Sequence, residues 1–248
     1  MCAVVAGWRY TLAVTWVRDK EKPAAVLERL WEQVNACQIA CKRVLLDRYF
    51  FTVPVMQWLQ QRDLPFLIPV VMRGPRPKRG TKPKGLRAYR GRKAGTYPYT
   101  HRAGSESVEF RLVINYKSYR HRQTKKRSAK KMFFAAWKVR LSPTQVREAY
   151  RRRFGIETSY RQLNQSRSRT SSRDPLYRFL LVGVALLLRN LWQWMVNGTE
   201  WSAAGARKPQ RPATSKPDKP WRYQDVLDEF SDYLCRLTQP PNPTESVP

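Results

Sequence analysis

Acids are scarce in this sequence. Its 248 residues hold 18 Asp and Glu against 48 Lys and Arg, a formal net charge of +30. Such a balance implies a polyanionic partner, because the summed field attracts and steers phosphate. Taken alone, it fits a ribosomal-type or other nonspecific basic protein as well. Histidine is scarcer still, with only His101 and His121. Beside four cysteines (Cys2, Cys37, Cys41 and Cys235) these make no evident four-ligand zinc set. The cysteines are expected to be reduced and buried, as in a cytosolic protein. Met1 to Gly7 is apolar but has no basic lead-in, so it does not read as a signal peptide. The apolar run Phe179 to Leu188, bounded by Arg178 and Arg189, is half of a bilayer crossing. It is expected to be a core helix, with no membrane partner.

What is present argues for a folded chain: 42% hydrophobic and 12% aromatic residues. Gly7 to Val17 is rich in β-branched and aromatic residues and reads as a strand. Lys22 to Arg43 has apolar residues at helical spacing, which would place Cys37 and Cys41 one turn apart on a helix. Val44-Leu45-Leu46-Asp47 is a short apolar run ending in an acid, the pattern of a strand buried on both faces. Val53 to Asp63 reads as a helix. Phe66 to Met72 reads as another buried strand, with Pro69 placing it near an edge or irregularity. Strand and helix thus alternate through residue 72.

Arg73 to Lys131 differs. Its 59 residues hold 20 Lys and Arg, with Glu106 and Glu109 as the acids, so it carries +18 of the total +30. Ser107 to Tyr116 alternates as a strand, with Met132 to Val139 as its partner. The basic stretch between them includes Lys125, Lys126 and Arg127. Further on, Asp174 and Pro175 begin a second helix reaching about Asn197, and 198–220 is a linker. Tyr223 to Leu237 reads as a short amphipathic helix for docking or dimer contact.

Ser142 to Gln165 carries the candidate chemistry. Ser142 suits a helix cap and Pro143 the first helical position. Tyr150, Glu157 and Asn164 recur every seven residues, drifting about 20° per step on a helix, and Arg153 lies one turn before Glu157. One continuous helical face would therefore present a phenol, a guanidinium, a carboxylate and an amide.

The spacing of Tyr150, Arg153, Glu157 and the residue seven further on, with the phrase IETSYRQLNQ, resembles the Y-R-E-K signature of insertion-sequence transposases (insertion-sequence group four). LLDRYFFTVPVMQWLQQRDLPFLIPV resembles the segment around that family's second catalytic Asp. The resemblance covers about residues 7–197. It implies an α/β fold with an RNase H-like core, a mixed sheet flanked by helices, built from 7–72 and 132–197. It also implies a basic β-rich insertion at 73–131 that touches DNA near the active site, with 198–248 as linker, helix and tail.

By the same resemblance, Asp47 and Glu157 are the second and third catalytic, metal-binding carboxylates, serving Mg²⁺ or Mn²⁺. Tyr150, Arg153 and Arg161 would meet phosphate. Asn164 stands where the family has Lys. The family's first Asp lies on a strand upstream of the segment resembling Gly7 to Val17, and no acid of this chain precedes Asp19. The reading implied is a DNA transposase domain truncated at its first strand and inactive alone. Its expected partners are the transposon ends and a second copy of the chain, in a cytoplasmic, nucleoid-associated setting. A non-catalytic basic nucleic-acid-binding protein is the other reading.

Overall fold

The structure, a computed structural model, describes residues 1–5, 8–72, 80–120, 127–155, 163–164, 170–201, 223, 227–228 and 231. The chain divides into two compact units. Ala13–Phe154 form one, and Met1–Leu12 with Gly155–Pro248 form the other. This division differs from the four segments drawn from composition.

The Ala13–Phe154 unit is built on a five-stranded mixed sheet. Its strands are β3 (Val44–Leu45), β4 (Phe66–Pro69), β5 (Gly95–Ala103), β6 (Glu106–Arg120) and β7 (Arg127–Trp137), in the order β3-β4-β7-β6-β5. β3 and β4 are parallel, and the other pairs are antiparallel. Strand β6 is the partner expected for β7, and β7 hydrogen-bonds in turn to β4. The ordered strands of the basic segment therefore continue the sheet that holds β3.

Two prolines explain how this sheet is read from its sequence. Pro69 sits in a central strand, yet its missing N–H is harmless. Residues of β4 aim alternately left and right: Pro65 and Leu67 carbonyls accept from Val44 and Leu46, while the Val70 N–H donates to Phe133 O. Pro69 therefore points to the β3 side, where β3 has already ended. Strand β5 lacks a sequence expectation because Pro98 interrupts it, but β5 is an edge strand and tolerates the loss. The β5–β6 hairpin turns on Gly104 and Ser105, with Gly104 at φ +64°, a conformation open to glycine at no steric cost.

Side chains alternate across the sheet, and each face buries its own set. Leu67, Val113, Phe134 and Ala136 pack on one face with Val146 and Tyr150 of α3 (Pro143–Arg151). Residues of the other parity, Phe66, Ile68, Leu112, Ile114 and Ala135, are also fully buried. On that side Phe51, at the start of α2 (Val53–Gln61), stands edge-on to Phe110 at 6.1 Å. Helix α1 (Pro23–Ala36) packs on α2.

Helix α1 is shorter than its apolar pattern suggests. It stops at Cys37, where Gln38 turns to φ +53°. Cys37 and Cys41 thus share no helix, and the expectation of buried cysteines is corrected. Cys37 is exposed, Cys2 and Cys41 are half-buried, all three are free thiols, and Cys235 lies outside the described residues.

In the other unit, β1 (Cys2–Val5) and β2 (Trp8–Thr11) form an antiparallel hairpin. The expected strand over Gly7–Val17 is therefore shorter, since β2 ends at Thr11. The free edge of β2 is met by polar side chains of α4 (Pro175–Trp201). Asn190 accepts from the Thr11 N–H (2.9 Å) and donates to Thr11 O (2.8 Å). Gln193 accepts from the Arg9 N–H (3.1 Å), and Arg189 donates to Arg9 O (2.9 Å).

This pairing corrects the expectation of an apolar core helix. The strand edge needs donors and acceptors, so α4 turns its polar face inward. Leu176, Leu180, Val184, Leu187, Leu191 and Trp194, spaced by three and four residues, lie exposed. By length and composition, Pro175–Trp194 is apolar enough to cross a membrane, and only 11% of that window is buried.

Candidate functional site

The end of β3 is where the sequence-predicted residues meet. The Leu46 N–H still bonds to Leu67 O (3.2 Å), and the chain then turns at Asp47. Asp47 caps the short 3₁₀ turn Arg48–Phe50, its Oδ1 accepting the Tyr49 N–H at 2.9 Å. This is the ordinary turn-forming role of an aspartate at a strand end. It uses one oxygen and aims the other outward.

Helix α3 supplies the rest. Its N-terminus is fixed by a capping box. The Gln145 N–H donates to Ser142 Oγ (3.3 Å), and the Ser142 N–H donates to Gln145 Oε1 (3.0 Å), with Pro143 in the first turn. Seven residues on, Tyr150 is buried at 3% exposure with its ring 5.2 Å from Phe134. Its hydroxyl donates to Leu46 O at 3.1 Å, the carbonyl next to Asp47. Burial pushes the Tyr150 phenol up from its ordinary pKa, although the nearby Arg153 charge opposes this, so the group stays protonated and donating.

Arg153 completes the cluster from the 3₁₀ turn Arg152–Gly155. Its Nη1 donates to the Tyr150 hydroxyl (3.4 Å) and its Nη2 lies 3.4 Å from Asp47 Oδ2. The guanidinium stands 5.8 Å from the centre of the Tyr150 ring. Phenol, guanidinium and carboxylate therefore form one chain across elements far apart in sequence.

The expected continuous helical face is corrected at this point. The α-helix ends at Arg151 and tightens into the 3₁₀ turn, so Arg153 sits on the turn rather than on a longer helix. Glu157, Arg161, Lys125 and Lys126 lie outside the described residues. Asn164 and Arg127 are exposed, Arg127 at the start of β7. Two contributors escaped the sequence reading. Tyr49 pins Asp47 through its backbone N–H and is itself 54% exposed, its ring edge-on to Phe50. The Asp-x-aromatic order was the available signal. Arg147 Nη1 donates to Tyr116 O (3.0 Å) and ties α3 to β6, which no local pattern announces.

Among the described residues no three His, Cys, Asp or Glu side chains gather. Asp47 alone, with a guanidinium on its free oxygen, does not fit a divalent ion: hard cations need several oxygen ligands. The described arrangement is a guanidinium held beside a carboxylate, and any metal would need further acids.

A family profile described as "Transposase DDE domain" matches residues 17–191, a span that includes Asp47, Tyr150, Arg153 and Glu157. The chain belongs to the transposase DDE domain family. DDE transposase domains in general act with divalent metal ions. A solved structure, the piggyBac transposase synaptic complex with hairpin DNA, is similar to this DDE-domain chain at 16% identity and a TM-score of 0.47. The likeness covers 89% of this chain and 42% of that one, so the chain spans under half the length of the piggyBac protein. No curated protein matches the chain.

Proposed function

We propose that this chain binds DNA and serves DNA transposition through the end of β3. Asp47 and Glu157 would hold Mg²⁺ or Mn²⁺, and Tyr150 and Arg153 would position the phosphodiester. Arg161, Asn164, Lys125, Lys126 and Arg127 would bind the flanking backbone of the transposon ends. The sheet would be an RNase H-like core, and the setting cytoplasmic and nucleoid-associated. The observation that carries this reading is the meeting of Arg153 with Asp47, held by Tyr150, within the residues matched by the family.

When bound, such ions would activate an attacking oxygen and stabilise the leaving one. The chain's own residues do the rest. The Tyr49 N–H fixes the Asp47 carboxylate, and Tyr150 fixes the carbonyl beside it. Arg153 presents a charge-assisted donor that can exchange a carboxylate for a phosphate.

The non-catalytic reading keeps DNA binding and drops the metal. The test is duplex binding followed by fluorescence anisotropy in rising salt. The affinity should fall linearly on log axes, and Arg153→Ala should lower the slope by about 0.9, one phosphate contact. Binding indifferent to salt, or a slope unmoved by Arg153→Ala, would sink the proposal.

A further inference from the structure

Helix α3 is held by directional bonds at both of its ends and by apolar contact between them. It crosses the sheet from β6 to the end of β3. At the β3 end the Tyr150 hydroxyl donates to Leu46 O. In the middle, Val146 packs in one cluster with Val113, Phe134 and Leu67, from β6, β7 and β4. At the β6 end stands Asn115, buried at 7% exposure. Among the described residues of Ala13–Phe154 it is the one amide or charged side chain buried this far.

Strand alternation puts Asn115 on the face of β6 that carries Val113, the face covered by α3. A β-branched residue would suit such a position, because a buried amide costs stability unless it is hydrogen-bonded. Both ends of this amide are bonded. Asn115 Nδ2 donates to Pro143 O in the first turn of α3, and its Oδ1 accepts the Tyr116 N–H at 2.5 Å. The neighbouring residue adds a second tie, the Arg147 bond to Tyr116 O. Residues 143 and 147 lie one helical turn apart, so two adjacent residues of β6 grip two successive turns of α3.

These bonds supply what the apolar contacts lack. Apolar burial is non-directional, so Val146 would still be covered after a small slide and roll of the helix. A shift of one residue moves each side chain by about 1.5 Å and 100°. It would take Arg153 away from Asp47 and the Tyr150 hydroxyl off Leu46 O. A hydrogen bond does not survive such a change of distance and angle.

We propose that Asn115 is a positioning residue: its amide sets the register of α3 and so brings Arg153 to Asp47. The consequence for DNA rests on the reading of Arg153 as a phosphate contact. The setting of the register does not.

The first test uses the full chain without DNA. Tyr150→Phe should lower the Tm of wild type by about 2–4 °C. Asn115→Leu replaces the amide with an apolar group of similar size, and Asn115→Asp keeps the shape but loses the donor to Pro143 O. Substitutions at separate sites with no shared partner ordinarily add. If Asn115 sets the register, the bond to Leu46 O is already lost in these backgrounds, and Tyr150→Phe should cost less than half as much there. Circular dichroism checks that each background is folded, and either one carries the test if the other is not. An undiminished loss in Tm would overturn the proposal, and so would loss of the fold in both, since a positioning role leaves the fold standing.

The second test reads the consequence on duplex DNA. Asn115→Leu should lower the salt slope by about 0.9, and Arg153→Ala added to it should lower the slope no further. A wild-type slope in Asn115→Leu, or a further drop on adding Arg153→Ala, would count against the proposal. If Arg153→Ala leaves the slope of the wild-type background unmoved, the phosphate reading of Arg153 falls instead, and the Tm comparison alone decides the register.

Discussion

Arg153 and Asp47, 106 residues apart in sequence, stand with Nη2 and Oδ2 3.4 Å from each other at the end of β3. The contact is looser than a tight charge-assisted hydrogen bond, which runs about 2.7–2.9 Å. The Asp47 side chain is 44% exposed and that of Arg153 is 24% exposed. A pair this open contributes about 0–1 kcal/mol and exchanges readily for another partner. On the proposed function, Arg153 would be a stand-in counterion on the carboxylate until phosphate draws it away.

Removing the stand-in should expose the carboxylate. In DNA-free protein, Arg153→Ala should raise the affinity for Mn²⁺ by up to about fivefold, the equivalent of a surface pair's worth of about 1 kcal/mol. Titration calorimetry reads this directly. An affinity that falls would mean that Arg153 organises the carboxylate instead of competing for it.

Tyr150 should matter first to stability. Tyr150→Phe keeps the ring against Phe134 and removes the hydroxyl that donates to Leu46 O and accepts from Arg153, at a cost of about 1 kcal/mol, or about 2–4 °C in Tm. Tyr150→Ala also empties a buried site and should cost about 3–5 kcal/mol. Urea unfolding of the three proteins separates the two contributions.

The link from Ala13–Lys22 to α1 should be sensitive to acid. Arg29 donates to Glu21 Oε2 (2.9 Å), to Trp16 O (2.7 Å) and to Thr15 Oγ1 (3.2 Å). The hydrogen bond from Arg29, with help from the Arg18 backbone, holds the Glu21 carboxyl down at about 2 against an ordinary 4.5. A lowered folded-state pKa stabilises above the unfolded value and is lost as pH falls through the folded one. Wild type should therefore melt above Glu21→Gln at neutral pH, and the difference should vanish between pH 4.5 and about 2. Melts followed by circular dichroism across that window check it.

The sequence announces what is local. The apolar run into Asp47, the Ser142–Pro143 start of α3 and the Asp174–Pro175 start of α4 all appear where composition puts them, because caps and short buried strands are decided by adjacent residues. What depends on distant partners was harder to read. The apolar spacing of Lys22–Arg43 runs past Ala36, but the helix stops where Gln38 turns left-handed. The apolar face of α4 looks like core, but the open edge of β2 claims the polar face. Strand β5 was hidden by a proline that only an edge position permits. At the site, the spacing put Tyr150 and Arg153 on one face of a single helix. They converge on Asp47 through the tightening of α3 into a 3₁₀ turn rather than along one straight helix.

The proposed function depends on Asp47 and Glu157 both serving a divalent ion. Mn²⁺ binding by the full chain, measured by calorimetry in the presence of duplex DNA, tests it most directly. Asp47→Asn and Glu157→Gln should each weaken binding at least about tenfold, as expected when a hard cation loses one of few carboxylate ligands. The double variant should be no worse than the weaker single, because the two act on one ion. Asp63→Asn, whose carboxylate pairs with Lys138, should bind as wild type does. Mn²⁺ affinity unchanged by Glu157→Gln, or lost equally in Asp63→Asn, would contradict the account.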